Sequence, residues 1–143
     1  MRFMLLVKAD KNSEAGVLPG KELFAAMGKF NEEMAKAGVM LAAEGLHPTS
    51  KGARVTYTRG KRTVTDGPFP GAKDLIASFW LIQVKSKQEA IDWASRAPFG
   101  EGAEVEIRQV FEASDFPPDL FPPEDAAREQ ALRDELQRKA PKP

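Results

Sequence analysis

The sequence contains no cysteine among its 143 residues and only one histidine, His47. Without cysteine there is no disulfide, no thiolate nucleophile and no zinc–thiolate site. A single histidine leaves mainly carboxylates as metal ligands, and no spacing typical of a metal-binding motif occurs. A glycine-rich nucleotide-binding loop is also missing. We therefore predict neither a metal nor a cofactor.

The chain also has no excess of one charge and no long apolar run. Its 21 basic residues balance 21 acidic ones, so no overall field attracts it to nucleic acid or to an anionic membrane surface. The apolar run at residues 3–7 is too short for a signal peptide or a membrane span. These absences predict a cytoplasmic protein whose partners include neither nucleic acid nor a membrane.

What is present is a regular order of strands and helices. Apolar residues spaced by four, three and four predict a helix over residues 21–37, and the capping box Ser86–Glu89 predicts a second helix. Alternating or continuous apolar runs predict strands at residues 1–8, 39–43, 53–58, 62–66, 76–84 and 104–111. The predicted fold class is α+β, a ferredoxin-like β-α-β-β-α-β unit with an inserted β-hairpin.

The domain is predicted to end near residue 112. Paired prolines at 117–118 and 122–123 indicate a semi-rigid linker, and residues 124–139 follow as a polar helix. Acid-before-base pairs four residues apart support that helix, namely Glu124–Arg128, Glu129–Arg133, Asp134–Arg138 and Glu135–Lys139. We therefore divide the chain into a domain of residues 1–112 and a proline-rich linker with a charged helix at residues 113–143.

The last predicted strand indicates an uncovered sheet face and hence a homodimer. Alternation puts Glu106 and Arg108 on the face opposite Val105 and Ile107, and a second subunit is the simplest cover for that face. Two interpretations stay open for these charges and for Glu44 at the end of the second strand. In the first, these charged residues form an ion pair at the interface between subunits. In the second, Arg108 binds the carboxylate of a substrate.

Two further residues are candidates for chemistry. His47 follows the second strand in a turn and is a possible general base, although a loop histidine is more often solvated or a cap. Asp66 leaves a strand into the turn Asp66-Gly67-Pro68-Phe69. The turn composition favours an aspartate that caps its own turn by accepting backbone N–H bonds, with catalysis as the other interpretation.

Several of these segments together resemble the DGPF branch of the YCII-related family. The matching segments are Met1–Leu6, Ala37–Val39, Glu44–Leu46, Asp66–Phe69, Trp93–Ala94 and Glu106–Arg108, all within residues 1–112. The resemblance implies a ferredoxin-like domain that pairs sheet to sheet as a dimeric α+β barrel. Some members lie in operons with extracytoplasmic-function sigma factors. Related YCII proteins include a dehydrochlorinase acting on a chlorinated hydroxyquinol, with a His–Asp pair proposed as the site.

The sequence departs from that family pattern in three places. The first predicted helix, residues 21–37, lacks the family's histidine. Gly71 stands where the branch usually has a glutamate, and Gln109 stands where it usually has a proline. Asp66 matches the aspartate of the family motif, whereas His47 fills the histidine role only if the fold brings its turn near Asp66.

We therefore expect a dimeric protein that binds a small molecule or acts as a weak lyase-type enzyme near Asp66. In the enzymatic version Asp66 or His47 abstracts a proton and Arg108 stabilises an anionic intermediate, with Glu44 and Glu106 as further ligand-binding residues. The alternative is a non-enzymatic interaction module that regulates transcription through the charged tail. An apolar cavity that holds Asp66 or His47 favours the first, and a filled cavity favours the second.

Overall fold

The computed structural model describes residues 1–140, and these form two compact units, residues 1–110 and the segment from residue 111 onward. The strands of the first unit are β1 Arg2–Lys8, β2 Met40–Gly45, β3 Ala53–Thr58, β4 Lys61–Asp66, β5 Ile76–Gln83 and β6 Val105–Gln109. Its helices are α1 Lys11–Glu14, α2 Lys21–Lys36 and α3 Lys87–Ser95. Strands β2-β5-β1-β6 form one antiparallel sheet, and β3-β4 form a separate hairpin. The predicted α+β ferredoxin-like fold with an inserted hairpin is therefore confirmed.

The core lies between this sheet and helices α2 and α3. Alternate residues of β1 point into it, so Phe3 and Leu5 are buried while their neighbours are half-buried. Helix α2 contributes Phe30 and Met34, and α3 contributes Ala90. Each large apolar side chain stabilises the fold by about 1.5–3 kcal/mol when it leaves water. Strand β1 pairs with β5 on one side and β6 on the other, so it is a central strand of the sheet.

The second face of the sheet has an apolar centre with charged edges. In the register, Phe79 of β5 lies opposite Leu6 of β1. The same row continues to Glu44 on edge strand β2 and to Glu106 on edge strand β6. The neighbouring row runs from Ala42 through Leu81 and Met4 to Arg108. Because Val105 and Ile107 pack against the core, the predicted placement of Glu106 and Arg108 on the opposite face is confirmed.

The β3-β4 hairpin is exposed along its whole length. It pairs Val55 with Val64 and Tyr57 with Arg62. The two-residue turn has positive φ at both positions, 47° at Arg59 and 77° at Gly60. Turns of this kind match the right-handed twist of the flanking strands, which is why a glycine follows the arginine there. All residues of β3 and β4 are exposed.

The segment 10–20, which joins β1 to α2, contains the one-turn helix α1. The Asp10 carboxylate accepts the Ser13 N–H over 2.8 Å, and the Ser13 hydroxyl accepts the Asp10 N–H over 2.9 Å. This reciprocal cap stabilises a turn of four residues. Four residues are too few to show a helical period, so the sequence pattern does not reveal such an element.

The predicted capping box at the start of α3 is formed only in part. The Ser86 hydroxyl accepts the Glu89 N–H over 3.1 Å, as expected for an N-cap. The Glu89 carboxylate, however, accepts the N–H of Lys85 over 3.0 Å, one residue before the predicted partner. The helix still begins where the sequence indicated.

The second unit consists of an aromatic segment and helix α4, Pro123–Lys139. Phe116 stacks on Phe111 with ring centroids 5.0 Å apart and meets Phe121 edge-on at 5.8 Å. Helix α4 has no buried residue. Two of the four predicted pairs, Glu129–Arg133 and Glu135–Lys139, are present, whereas Arg128 pairs with Asp125 instead.

Candidate functional site

A wide cleft of about 1430 Å³ lies where β1 and β2 end and β5 begins. Its walls are the first half of α2, the segment between β1 and α2, the turn after β2, and the loop at residues 99–104. Clefts between loops on a rigid sheet are common small-molecule sites, and this one is larger than the roughly 300–1,000 Å³ of most ligand pockets.

Trp80 forms the floor of the cleft. Its side chain is only 3% exposed, and its indole N–H donates to the Asn31 side-chain oxygen over 2.8 Å. Phe30 meets the indole edge-on at 5.4 Å, and Phe99 lies at 6.0 Å. The hydrogen bond and the ring contacts hold the indole in one orientation, so the floor is apolar and preformed.

The rim of the cleft carries exposed apolar side chains. Leu18 is 85% exposed and Phe24 is 72% exposed, and Val17 and Leu46 are also exposed. All four line the cleft. Exposed apolar side chains grouped around one opening mark an interaction site more often than scattered ones do. The rim therefore favours a partly apolar ligand.

Two of the five sequence-predicted site residues, Glu44 and His47, line this cleft. Both side chains are exposed, and both come from the end of β2 and the turn that follows it. Other charged residues on the cleft wall are Lys8, Asp10, Lys51, Lys73, Glu101 and Glu104. The wall thus combines an imidazole with carboxylates and ammonium groups above an aromatic floor.

Asp66 is not among the residues that line the cleft, and it does not cap its turn. It is exposed at the base of the hairpin, paired with Ala53. Within residues 1–140 its carboxylate makes no hydrogen bond or ion pair, so the capping prediction is wrong. The donors of the turn are already used, because Gly67 N–H donates to the Gly52 carbonyl and Phe69 N–H donates to the Thr49 hydroxyl. Proline, at position 68, has no N–H to offer.

Glu106 and Arg108 form an ion pair within the chain. The guanidinium lies 3.3 Å from the Glu106 carboxylate, and the Lys8 ammonium lies 3.5 Å from it. The hydrogen bond from Arg108, and next the charge of Lys8, lower the pKa of Glu106 below its usual value of 4.5. This ion pair lies within one chain, so both interpretations made from the sequence, an interfacial ion pair and an arginine that fixes a substrate carboxylate, stay predictions.

A hydrogen-bonded network beside the cleft was not predicted from the sequence. The Glu14 carboxylate accepts both the N–H and the hydroxyl of Thr49, and the hydroxyl in turn accepts the N–H of Phe69. Arg54 stacks on the Phe69 ring at 3.9 Å. The three segments are far apart in sequence, so no local pattern could have indicated the contact.

Among residues 1–140, no group of three or more histidine, aspartate or glutamate side chains is placed to hold a metal ion. In the same part of the chain, no helix is both long and apolar enough to cross a membrane.

Comparison with known proteins supplies the family. The model of the YCII-related domain matches residues 1–114. An uncharacterized protein of Rhizobium meliloti (strain 1021) is 34% identical over 74 residues, which span 52% of this chain and 56% of that protein. The structure of 5-chloro-2-hydroxyhydroquinone dehydrochlorinase from Burkholderia phenoliruptrix AC1100, in complex with 2,5-dihydroxybenzoquinone, is 14% identical with a TM-score of 0.46. The match covers 82% of this chain and 100% of the dehydrochlorinase chain. From the match over residues 1–114, the chain belongs to the YCII-related family.

Proposed function

We propose that the chain binds a small, partly apolar molecule in the cleft above Trp80. The observation that carries this proposal is the combination of a fixed aromatic floor with His47 and Glu44 on one wall. The floor buries the apolar part of a ligand, and the polar wall orients it. A ligand of this class also fits the exposed apolar rim formed by Leu18 and Phe24.

The enzymatic form of this proposal is a lyase-type elimination in which His47 is the general base. The imidazole accepts a proton from a substrate carbon, the C–H electrons form a double bond to the neighbouring atom, and the leaving group departs from that atom with its bonding pair. His47 replaces Asp66 as the candidate base because only His47 lines the cleft. Lys8, which also lines the cleft and lies 3.5 Å from the Glu106 carboxylate, supplies positive charge for an anionic intermediate.

The experiment is a binding screen with small phenols and aromatic carboxylic acids, measured by intrinsic tryptophan fluorescence, to which Trp80 and Trp93 both contribute. We expect His47→Ala to weaken a bound compound at least about tenfold, which corresponds to about 1.4 kcal/mol. Gln88→Ala, an exposed change on α3 outside the cleft, is the matched control and leaves the affinity unchanged. Equal affinities for the His47→Ala chain and the parent would contradict the proposal.

We also propose a homodimer that pairs the second sheet face with its copy. Met4, Leu6, Phe79 and Leu81 supply the apolar centre of that face. A two-fold axis along the strands brings edge strand β2 of one copy over β6 of the other, so Glu44 lies over the row of Glu106, one row from Arg108, at two symmetric places. A two-fold axis across the strands instead brings β2 of one copy over β2 of the other, away from the Glu106–Arg108 ion pair.

A charge exchange tests this pairing. Arg108→Glu alone should shift the sedimentation equilibrium towards monomer, because it leaves only carboxylates on β6 opposite Glu44. The double variant Glu44→Arg with Arg108→Glu should restore the dimer. A parent chain that sediments as a monomer, or a double variant that dimerises no better than Arg108→Glu alone, would contradict this arrangement.

A non-enzymatic interaction module linked to transcription regulation is the second candidate. It is favoured by the exposed surface of helix α4 alone. In this proposal residues 1–112 are the folding domain and residues 113–143 are an appendage that contacts a regulator. Removal of residues 113–143 separates the two functions, since ligand binding in the cleft then persists and binding of a regulator is lost.

A further inference from the structure

The β3-β4 hairpin carries an apolar stripe on one face. Val55 pairs with Val64, and Tyr57 is on the same face because alternate residues of a strand share a face. All three are exposed, and Val64 is 65% exposed. A two-stranded hairpin by itself is only marginally stable in water. A partner that covers this stripe would therefore stabilise the hairpin as well as bind it.

The hairpin is also strongly basic. Residues 53–66 hold four basic residues and one acidic residue, a net charge of +3. Residues 1–110 hold sixteen basic and thirteen acidic residues, which is again +3. The hairpin thus accounts for the whole net positive charge of the first unit. Two hairpins packed against each other would bring like charges together, so the charge favours an acidic occupant.

The second unit of the chain has the complementary character. Residues 111–140 hold eight acidic and four basic residues, a net charge of −4. Helix α4 buries none of its residues. Its leucines Leu132 and Leu136 are one turn apart, so they lie on one side of the helix, and both are exposed, Leu136 by 61%. The segment offers an acidic helix with a short apolar stripe.

We propose that the apolar stripe of the hairpin is a docking surface for helix α4 of a second copy of this chain. Leu132 and Leu136 pack on Val55 and Val64 at the centre, and opposite charges meet around them, which is the usual division between the core and rim of an interface. Each copy supplies one hairpin and one helix, so a two-fold dimer contains the contact twice. The contact depends neither on a ligand in the cleft nor on the pairing of the sheet faces.

The absence of cysteine from the sequence allows a clean cross-linking test on the full chain. A chain carrying Val64→Cys is mixed with a chain of different mass carrying Leu136→Cys, under mild oxidation. A disulfide forms only where the two Cα atoms come within about 7 Å. We expect the mixed cross-link to exceed that of a matched control, Thr56→Cys with Leu136→Cys, at least about tenfold. Thr56 lies on the opposite face of β3, paired with Thr63.

A second variant tests the charge complementarity without a cysteine on the stripe. Reversal of Lys61 and Arg62 to glutamate, added to the Val64→Cys chain, should reduce the mixed cross-link to the control level, and so should high salt. Several outcomes would overturn the proposal. The first is a control pair with Thr56→Cys that cross-links as much as the pair with Val64→Cys. The second is a mixed cross-link that the charge reversal leaves unchanged. The third is a single chain carrying both Val64→Cys and Leu136→Cys that forms an intramolecular disulfide at high dilution.

Nucleic acid is the other class of partner that a basic hairpin fits. A DNA duplex of arbitrary sequence is therefore mixed with the parent chain and with the chain in which Lys61 and Arg62 are reversed. If the parent binds the duplex, the reversed chain does not, and no mixed cross-link forms, then the hairpin is a nucleic-acid arm and the proposal is wrong. If no duplex binds and the mixed cross-link forms, the proposal is supported.

Discussion

Thr49 gives both of its hydrogen-bond donors to Glu14, a residue that precedes it by 35 positions. The backbone N–H reaches one carboxylate oxygen over 3.1 Å, and the hydroxyl reaches the other over 2.6 Å. The same hydroxyl accepts the N–H of Phe69 over 3.0 Å. One carboxylate therefore connects helix α1, the turn after β2 and the turn after β4, and these segments include the wall of the cleft that carries His47.

We expect Glu14→Ala to lower the free energy of unfolding by about 1–3 kcal/mol, because the partly buried donors of Thr49 lose their acceptor. Thermal unfolding followed by circular dichroism measures the loss. Glu32→Ala, an exposed change in the middle of α2, is the matched control and should lie within about 0.5 kcal/mol of the parent. If both variants unfold at the same temperature, the network does not stabilise the fold.

Gly67→Ala is expected to be severely destabilising. A Cβ atom at this position would lie 1.7 Å from the Thr49 carbonyl oxygen and 2.5 Å from its carbon, and backbone atoms cannot move aside cheaply. We expect a loss of at least about 3 kcal/mol in denaturant unfolding. Gly28→Ala in helix α2 is the control, because nothing lies within 4 Å of a Cβ atom added at that position. Alanine there should stabilise the helix by about 0.5–1 kcal/mol. A tolerated Gly67→Ala would mean that the two turns are not in close contact.

The ion pair of Glu106 should make a pH-dependent contribution to stability. Arg108 and Lys8 lower the pKa of Glu106 in the folded chain, so its stabilising contribution is present above the ordinary value of 4.5 and is lost as the pH falls through the folded pKa. Glu106→Gln should therefore unfold at a lower temperature than the parent at about pH 7, and the difference should disappear as the pH falls through the folded pKa of Glu106. Because the group is exposed, the difference should also shrink in high salt. A difference that persists at low pH would assign the effect to packing rather than charge.

Asp66→Ala should change the free energy of unfolding by less than about 0.5 kcal/mol, because its carboxylate accepts no hydrogen bond within residues 1–140. Urea unfolding of the parent and the variant measures the change. A loss of about 0.5–2 kcal/mol, the usual cost of a lost cap, would show that Asp66 does cap its turn in solution.

The local elements of this protein could be predicted from the sequence because each has a local cause. The spacing of apolar residues in α2 defines the buried side of that helix, and the alternation of Val105 and Ile107 with Glu106 and Arg108 separates two faces of a strand. Both effects act within a few residues. The order of these elements was then enough to identify the ferredoxin-like unit and the inserted hairpin.

The candidate site depends on contacts between segments that are distant in sequence. His47 lines the cleft, whereas Asp66 is left at the base of the hairpin, because the N–H groups of the turn after β4 bond to Gly52 and Thr49 rather than to Asp66. The floor depends in the same way on Trp80 meeting Asn31 of a separate helix. Such contacts form only after the chain has closed long loops. Which contacts form depends on side-chain packing and on which acceptors the hydrogen-bond donors reach. The sequence by itself therefore determined the elements and their order, and only the tertiary structure decided which of the chemically capable side chains share a cleft.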